Sequence, residues 1–283
     1  MACGRRPGRV CAVSVSDDGV GLWSELTGAG RPVVLLHGLA DDHGLWRHVV
    51  GHLDGVETLA IDLPGHGSSG SIPAGATLSW MADQVVGRIT TAFEGPVTVV
   101  GLSMGGGVAQ LVALDHPELV EGLVLVSTSP VFPAATRQRF IDRAARAEHN
   151  GMAAVVDETV PRWFTTDWMA SHPDEVERTA ATVLATDPVA FARASRLNAE
   201  RDVLDRLGEI RVPVLFIGGL EDPADPRRAA RQYADRLADL MIEMLPGVSH
   251  LVPVQAPEAF LAVLESFLAD HRPTPAPEIE VKP

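Results

Sequence analysis

Ser103 sits in Gly101-Leu102-Ser103-Met104-Gly105, a G-x-S-x-G pattern, and Gly106 and Gly107 follow at once. The apolar run "PVTVV" precedes it and "GGGVAQLVALDHP" continues in a helical pattern. Glycine loses more backbone freedom on ordering than any other residue, so four around one serine need a reason. A sharp strand-to-helix turn supplies one. The serine takes a strained conformation with its hydroxyl pointing outward, and side chains two residues to either side would collide. Gly106 and Gly107 let the helix start pack against neighbouring strands. The helix N-terminus offers free N–H groups where negative charge develops.

A serine hydroxyl is a weak nucleophile and needs a base, which an acid must orient. When the nucleophile follows a strand in this way, the partners come in the order serine, acid, histidine. His250 in "LPGVSHLVPVQAPEAF" follows the last apolar strand and precedes a helix. For the acid, "VLFIGGLEDPADP" places Asp222 just past a strand end, ahead of Asp225 and of Glu221 as a candidate. His37 reads as part of a backbone loop, and His66 in "DLPGHGSS" as part of a scaffold turn. His43, His48, His52, His116, His149, His172 and His271 fall in helical or surface contexts. Two N–H donors are needed for a developing oxyanion. Met104, next to the serine, gives one. Leu39 in "LLHGLADDHGLW" gives the other, with Gly38 allowing close backbone approach.

The elements that must hold these residues alternate. "VGLWSEL", "PVVLLHG", "VETLAID", "PVTVVG", "GLVLVS", "PVLFIGG" and "MIEML" read as strands, several apolar on successive residues as strands covered on both faces are. "CAVSVS" reads as an antiparallel partner of "VGLWSEL" across the turn "DDG". Helical patterns separate most of the rest, which predicts an α/β fold with a mostly parallel central sheet flanked by helices. From about 129 to 208 no strand pattern occurs. "AATRQRFIDRAARAEHNG", "MAAVVDETVPRWF" and "DPVAFARASRLNAERDVLDRL" instead predict a helical insertion carrying Trp163, Phe164 and Trp168. The expected division is a core of residues 1–128 and 209–270, a helical cap over 129–208, and a polar, proline-rich tail at 271–283 that reads as disordered.

The chain has 283 residues and a formal net charge of -14, so its field repels phosphate backbones and anionic lipids. Nucleic acid and membrane are not expected partners. The only cysteines, Cys3 and Cys11, give neither a disulfide framework nor metal-ligand spacing, so no metal and no cofactor are expected. The start of the chain lacks the apolar segment of an export signal, and a cytoplasmic location is expected. Lysine occurs once, at Lys282, amid abundant arginine and alanine, as in GC-rich bacterial coding.

Together "HGL", "DLPGHGSS", "GLSMGG", "GGLEDPADP" and "GVSHLVPVQAPEAF", in this order over roughly 20 to 270, resemble the α/β-hydrolase superfamily. The resemblance implies Ser103 as nucleophile, Asp222 as orienting acid, His250 as general base, and Leu39 and Met104 as oxyanion donors. "GLSMGGGVAQ", "VPRWFTTDWMASHPDEV" and "LATDPVAFARA" are similar to the 3-oxoadipate enol-lactonase group, with Pro64 where that group often has arginine. The implied activity is cofactor-free hydrolysis of a small ester or lactone through an acyl-enzyme. The same residues also serve perhydrolase, acyl-transfer or C–C hydrolase chemistry, and the fold also hosts cyclases and binding proteins. A tryptophan usually follows the histidine in C–C hydrolases; Leu251 stands there instead. The expected pocket residues are Gly38, Trp163, Phe164, Trp168 and Leu251. Arg137, Arg139, Arg162, Arg193 and Arg196 are candidates for a substrate carboxylate, though a solvated helix face accounts for most of them.

Overall fold

The computed structural model describes residues 21–270. The strand expected at "CAVSVS", both cysteines and the 271–283 tail lie outside the described residues. Seven strands form one sheet: β1 (Ser24–Gly28), β2 (Arg31–Leu36), β3 (Val56–Ile61), β4 (Val97–Leu102), β5 (Val120–Val126), β6 (Val214–Gly219) and β7 (Leu240–Leu245). Their order across the sheet is β1-β3-β2-β4-β5-β6-β7. β1 runs antiparallel to β3, and every other neighbouring pair is parallel.

The helices are α1 (Leu78–Ala92), α2 (Met104–Asp115), α3 (Ala134–Asn150), α4 (Ala153–Thr159), α5 (Thr166–Ser171), α6 (Pro173–Ala185), α7 (Pro188–Ala199), α8 (Pro226–Ala234), α9 (Val252–Gln255) and α10 (Pro257–Asp270). Every residue of β4 and of β6 is buried. Alternation of apolar and polar residues is absent there because helices cover both faces. Trp46, Phe260 and Phe267 are among the largest side chains fully enclosed in this core. No helix among the described residues is long and apolar enough to cross a membrane.

Parallel strands all end at one edge, and that edge is where α/β sheets bind ligands. Leu39 follows β2, Ser103 follows β4, Asp222 follows β6 and His250 follows β7. Residues separated by up to 211 positions therefore gather because their strands point the same way.

Between β5 and β6 the chain forms α3 to α7 and no strand, only an isolated bridge between Val131 and Asp202. Within this interval α3 packs along α7. The stretch "MAAVVDETVPRWF" does not stay one helix. It breaks into α4 and a 3-10 turn at Val160–Arg162, because Pro161 has no N–H to continue the α-helical ladder. Asp187 starts α7 by accepting the N–H groups of Val189 and Ala190 at 3.0 and 2.8 Å, with Pro188 in the first turn.

Candidate active site

Ser103 has φ 53° and ψ -108°, a backbone region that costs a non-glycine residue on the order of 1–3 kcal/mol. Its surroundings enforce it. The Ser103 N–H donates to the Val126 carbonyl at 2.9 Å, which ties the turn to β5. A Cβ on Gly101 would stand 2.4 Å from the Gly105 carbonyl oxygen, and one on Gly105 would stand 2.4 Å from that of Leu36. The turn is thus too tight for any side chain at either flank. Gly106 makes room for Thr128, and Gly107 makes room for Arg201, whose Nη1 would lie 2.3 Å from an added Cβ. The expectation that both glycines serve packing against strands needs correcting at Gly107. Its neighbour is a side chain just beyond α7.

Arg201 lies buried directly beneath the turn. Its Nη1 donates to the Ser103 carbonyl at 2.9 Å and to Thr128 Oγ1 at 3.1 Å, and its guanidinium sits 4.4 Å from the Phe132 ring centroid. Thr128 Oγ1 itself donates to the same Ser103 carbonyl at 2.7 Å. Burial pulls Arg201 down to about 10, so it stays charged at neutral pH. Sequence reading missed it because an arginine 98 positions from the serine carries no local signal.

His250 Nδ1 lies 2.7 Å from Asp222 Oδ2, and both side chains are largely buried. A carboxylate can only accept, so Nδ1 is the donor of this bond, and in the neutral ring Nε2 is left to accept. Asp222 Oδ1 is fixed in turn by the Ala224 N–H at 2.8 Å. The other two acids do different work. Asp225 is exposed and caps α8, accepting the Arg228 N–H at 3.1 Å. Glu221 is exposed, and its backbone N–H donates to the Val248 carbonyl at 2.9 Å.

Ser103, Asp222 and His250 line one cavity of about 670 Å³, with Gly38, Leu39, Trp163 and Leu251 in the same lining. That volume suits a small organic ligand. The Leu39 N–H has no backbone acceptor among the described residues. Met104 opens α2, so its N–H has no intrahelical acceptor either. Phe164 and Trp168 do not line the cavity. Phe164 is buried and stacks on Trp168 at 4.6 Å, and Trp168 stacks on His172 at 4.3 Å. These two rings pack the insertion together, while Trp163 turns to the cavity.

The remaining candidates sort by partner. His37 Nδ1 donates to the Gly38 carbonyl at 2.7 Å, and its Nε2 accepts the Leu63 N–H at 2.9 Å. Both ring nitrogens are therefore spent on holding the Gly38 loop against the turn after β3. His66 is buried beside His37, and burial drives it down to about 3. Among the arginines, Arg139 and Arg162 line the cavity. Arg137 pairs with Asp202, Arg193 donates to the Ile72 carbonyl, and Arg196 makes a two-pronged pair with Glu148. Arg143 and Arg146 also line the cavity and were not singled out from sequence. With Arg139 they recur at i, i+4 and i+7, one face of a helix.

The alpha/beta hydrolase family model matches residues 33–263. This chain belongs to the alpha/beta hydrolase family. The family span takes in the turn at Ser103, the Asp222 loop, His250 and the whole insertion. The pimeloyl-[acyl-carrier protein] methyl ester esterase of Chromobacterium violaceum is 29% identical over 263 residues, 87% of this chain and 98% of that protein. The 3-oxoadipate enol-lactonase 2 of Acinetobacter baylyi is 25% identical over 243 residues, 85% of this chain and 90% of its own length. Among solved structures, the enol-lactonase from Burkholderia xenovorans LB400 superposes with a TM-score of 0.86 at 26% identity, covering 91% of this chain and 100% of that one. A thermophilic esterase from Thermogutta terrifontis gives a TM-score of 0.82 at 28% identity, covering 92% and 98%.

Proposed function

We propose that this alpha/beta hydrolase cleaves a carboxylic ester or lactone through an acyl-enzyme on Ser103. The observation that carries the reading is the Asp222–His250 pair at 2.7 Å opening into the same cavity as a serine held at positive φ. In this reading His250 Nε2 takes the Ser103 proton as Oγ attacks the carbonyl carbon. Asp222 holds the imidazole in the tautomer that can accept and stabilises the imidazolium that forms. The N–H groups of Leu39 and Met104 face the oxyanion of the tetrahedral intermediate. His250 then returns the proton to the leaving alcohol oxygen. Water, deprotonated by His250, attacks the acyl-enzyme; the bond from the acyl carbon to Ser103 Oγ breaks, His250 returns the proton to Oγ, and the acid leaves. In a lactone the leaving oxygen stays tethered, so one ring-opened product results.

The insertion between β5 and β6 acts as a cap that closes the cavity over Ser103, and Trp163 shapes its acyl side. The esterase and enol-lactonase relatives support the ester or lactone class. Purified protein should hydrolyse short p-nitrophenyl esters, and Ser103→Ala should remove most of that turnover while the fold persists. Loss of a nucleophile commonly costs on the order of 10⁴-fold or more in kcat. Folded Ser103→Ala protein with near-parental esterase activity would refute the assignment.

A further inference from the structure

The carbonyl of Ser103 carries more donors than its place in the chain requires. As the residue ahead of α2, Ser103 accepts the Gly107 N–H at 3.2 Å, the bond expected of a helix-capping carbonyl. Two side chains add to it. Thr128 Oγ1 donates at 2.7 Å and Arg201 Nη1 at 2.9 Å. Both arrive from outside the turn, Thr128 from just past β5 and Arg201 from just past α7.

Arg201 is a costly residue to place there. It is buried, and its hydrogen bonds among the described residues go to the Ser103 carbonyl and Thr128 Oγ1, not to a carboxylate. The adjoining Asp202 pairs with Arg137. The Arg201 Nε is enclosed without an acceptor. The face of the Phe132 ring, 4.4 Å from the guanidinium, offsets only part of the desolvation. A buried cation with no counter-charge is unfavourable, and a charge kept at that cost points to a function. The negative charge it can answer is one that appears only during reaction, on the oxyanion beside Ser103.

The Ser103 carbonyl and the Met104 N–H belong to one planar, trans peptide unit. The N–H of such a unit points opposite to its carbonyl, so donors that anchor the oxygen also aim the N–H. They polarise it too. Electron density drawn to the oxygen by a guanidinium makes the N–H on the far side a stronger donor.

We infer that Arg201, with Thr128, is a positioning residue that strengthens the Met104 N–H as an oxyanion donor through the Ser103–Met104 peptide. This rests on the hydrolase reading above. When Ser103 Oγ bonds to the substrate carbon, the carbonyl π pair moves to the oxygen and the serine proton passes to His250. The new charge then meets a peptide already polarised from behind by a buried cation. The uncharged ground-state carbonyl gains less from the same donor, so the effect falls on kcat. Arg201 also borders the cavity. An arginine that held the substrate itself would act on KM instead.

Arg201→Met removes the charge and keeps much of the stem, Arg201→Lys keeps a charge, and Thr128→Val removes the second donor. Arg201→Met should lower kcat on a short p-nitrophenyl ester about tenfold or more, with KM within about twofold of the parent. Arg201→Lys should recover part of that loss. Thr128→Val, which carries the test if Arg201→Met misfolds, should lower kcat severalfold. Trifluoromethyl butyl ketone is the second probe. Addition of Ser103 Oγ to it leaves an oxyanion on a tetrahedral carbon with the proton on His250, so its affinity should fall by the same factor as kcat/KM.

The third readout is the peptide itself. Ser103-Met104 is the one Ser-Met pair in the chain. Serine labelled at its carbonyl carbon and methionine at its amide nitrogen therefore give one NMR correlation peak for this peptide, which Ser103→Ala removes and so assigns. Its carbonyl shift should move upfield in Arg201→Met and Thr128→Val, as a carbonyl losing donors does. Folded Arg201→Met protein with parental kcat and ketone affinity, a loss confined to KM, or an unmoved peak would overturn the inference and leave the hydrolase reading standing. Ketone binding that depends on Arg201, in a chain that hydrolyses no ester, would keep the inference and overturn that reading.

Discussion

The backbone carbonyl of Trp163 accepts the N–H groups of both His250 and Leu251, each at 3.1 Å. Ser249 Oγ adds a bond to the neighbouring Arg162 carbonyl at 3.2 Å. The insertion is therefore fastened by its main chain to the loop that carries the proposed base. Any substitution at position 163 keeps that carbonyl, so the side chain can be tested apart from the fastening.

Trp163→Ala should accordingly raise KM or shift acyl preference for bulky esters, and should harm turnover of a small activated ester far less. A ring that only packed the core would instead cost about 3–5 kcal/mol of stability and lower all activities together. Melting temperature and kinetics on one small and one bulky ester separate the two outcomes.

Asp222→Asn should lower kcat by orders of magnitude, since an amide neither stabilises the imidazolium nor fixes the accepting tautomer. Asp225→Asn should retain activity, because Asp225 is an exposed cap of α8 and asparagine caps almost as well. Asp225→Ala should lose about 1 kcal/mol of stability with activity largely kept. Steady-state kinetics beside chemical denaturation check both. A crippled Asp225→Asn would move the acid.

The glycines of the turn should separate by what surrounds them. A Cβ on Gly105 meets backbone atoms of Leu36 and His37, which cannot yield. A Cβ on Gly107 meets only side-chain atoms, Nη1 and Cδ of Arg201, which can shift. Gly105→Ala should therefore cost at least about 3 kcal/mol or prevent folding. Gly107→Ala should fold, displace Arg201 from the Ser103 carbonyl, and lower kcat more than it raises KM. Equal stability of the two variants would contradict this account of the turn.

Two buried groups set opposing pH slopes. Burial pushes Asp41, on the cavity wall near Asp42, Arg47 and Asp62, up to about 7 from its ordinary 3.8. Between those values only the folded state holds this proton, so its contribution to stability falls as pH rises and levels off above about pH 7. His66 stays neutral in the fold down to about 3, while the unfolded chain protonates near 6.5, so its contribution rises with pH across that window. Asp41→Asn removes the first slope alone. Its stability relative to the parent should increase steadily from pH 4 to pH 7 in denaturant titrations, and then stay constant.

What the sequence makes legible follows from range. The turn at Ser103 announces itself because strand, glycines and helix are contiguous. The parallel sheet is legible for a similar reason: apolar runs such as "VTVVGL" need cover on both faces, and helical patterns lie between them. Asp222 and His250 could be ranked because each follows a strand end. Trp163 could be favoured as a ring facing the cavity, but Phe164 and Trp168 could not be set apart from it, since all three are aromatic within six positions and only the stacking of Phe164 on Trp168, away from the cavity lining, separates them. Arg201 was invisible, since its contact with Ser103 exists only once α7 returns to the sheet. The face formed by Arg139, Arg143 and Arg146 was present as a helical spacing, but composition alone reads such a face as solvated.

A covalent acyl-enzyme on Ser103 requires an activated hydroxyl, and covalent trapping reads that reactivity at the atom itself. The protein should be treated with a small fluorophosphonate, which an activated serine attacks, and its intact mass measured before peptide mapping. One adduct per chain is expected, on the peptide containing Ser103, absent from Ser103→Ala and strongly slowed in His250→Ala. Folded, esterase-active protein that takes no adduct, or takes it on a different residue with Ser103→Ala still labelled, would contradict it.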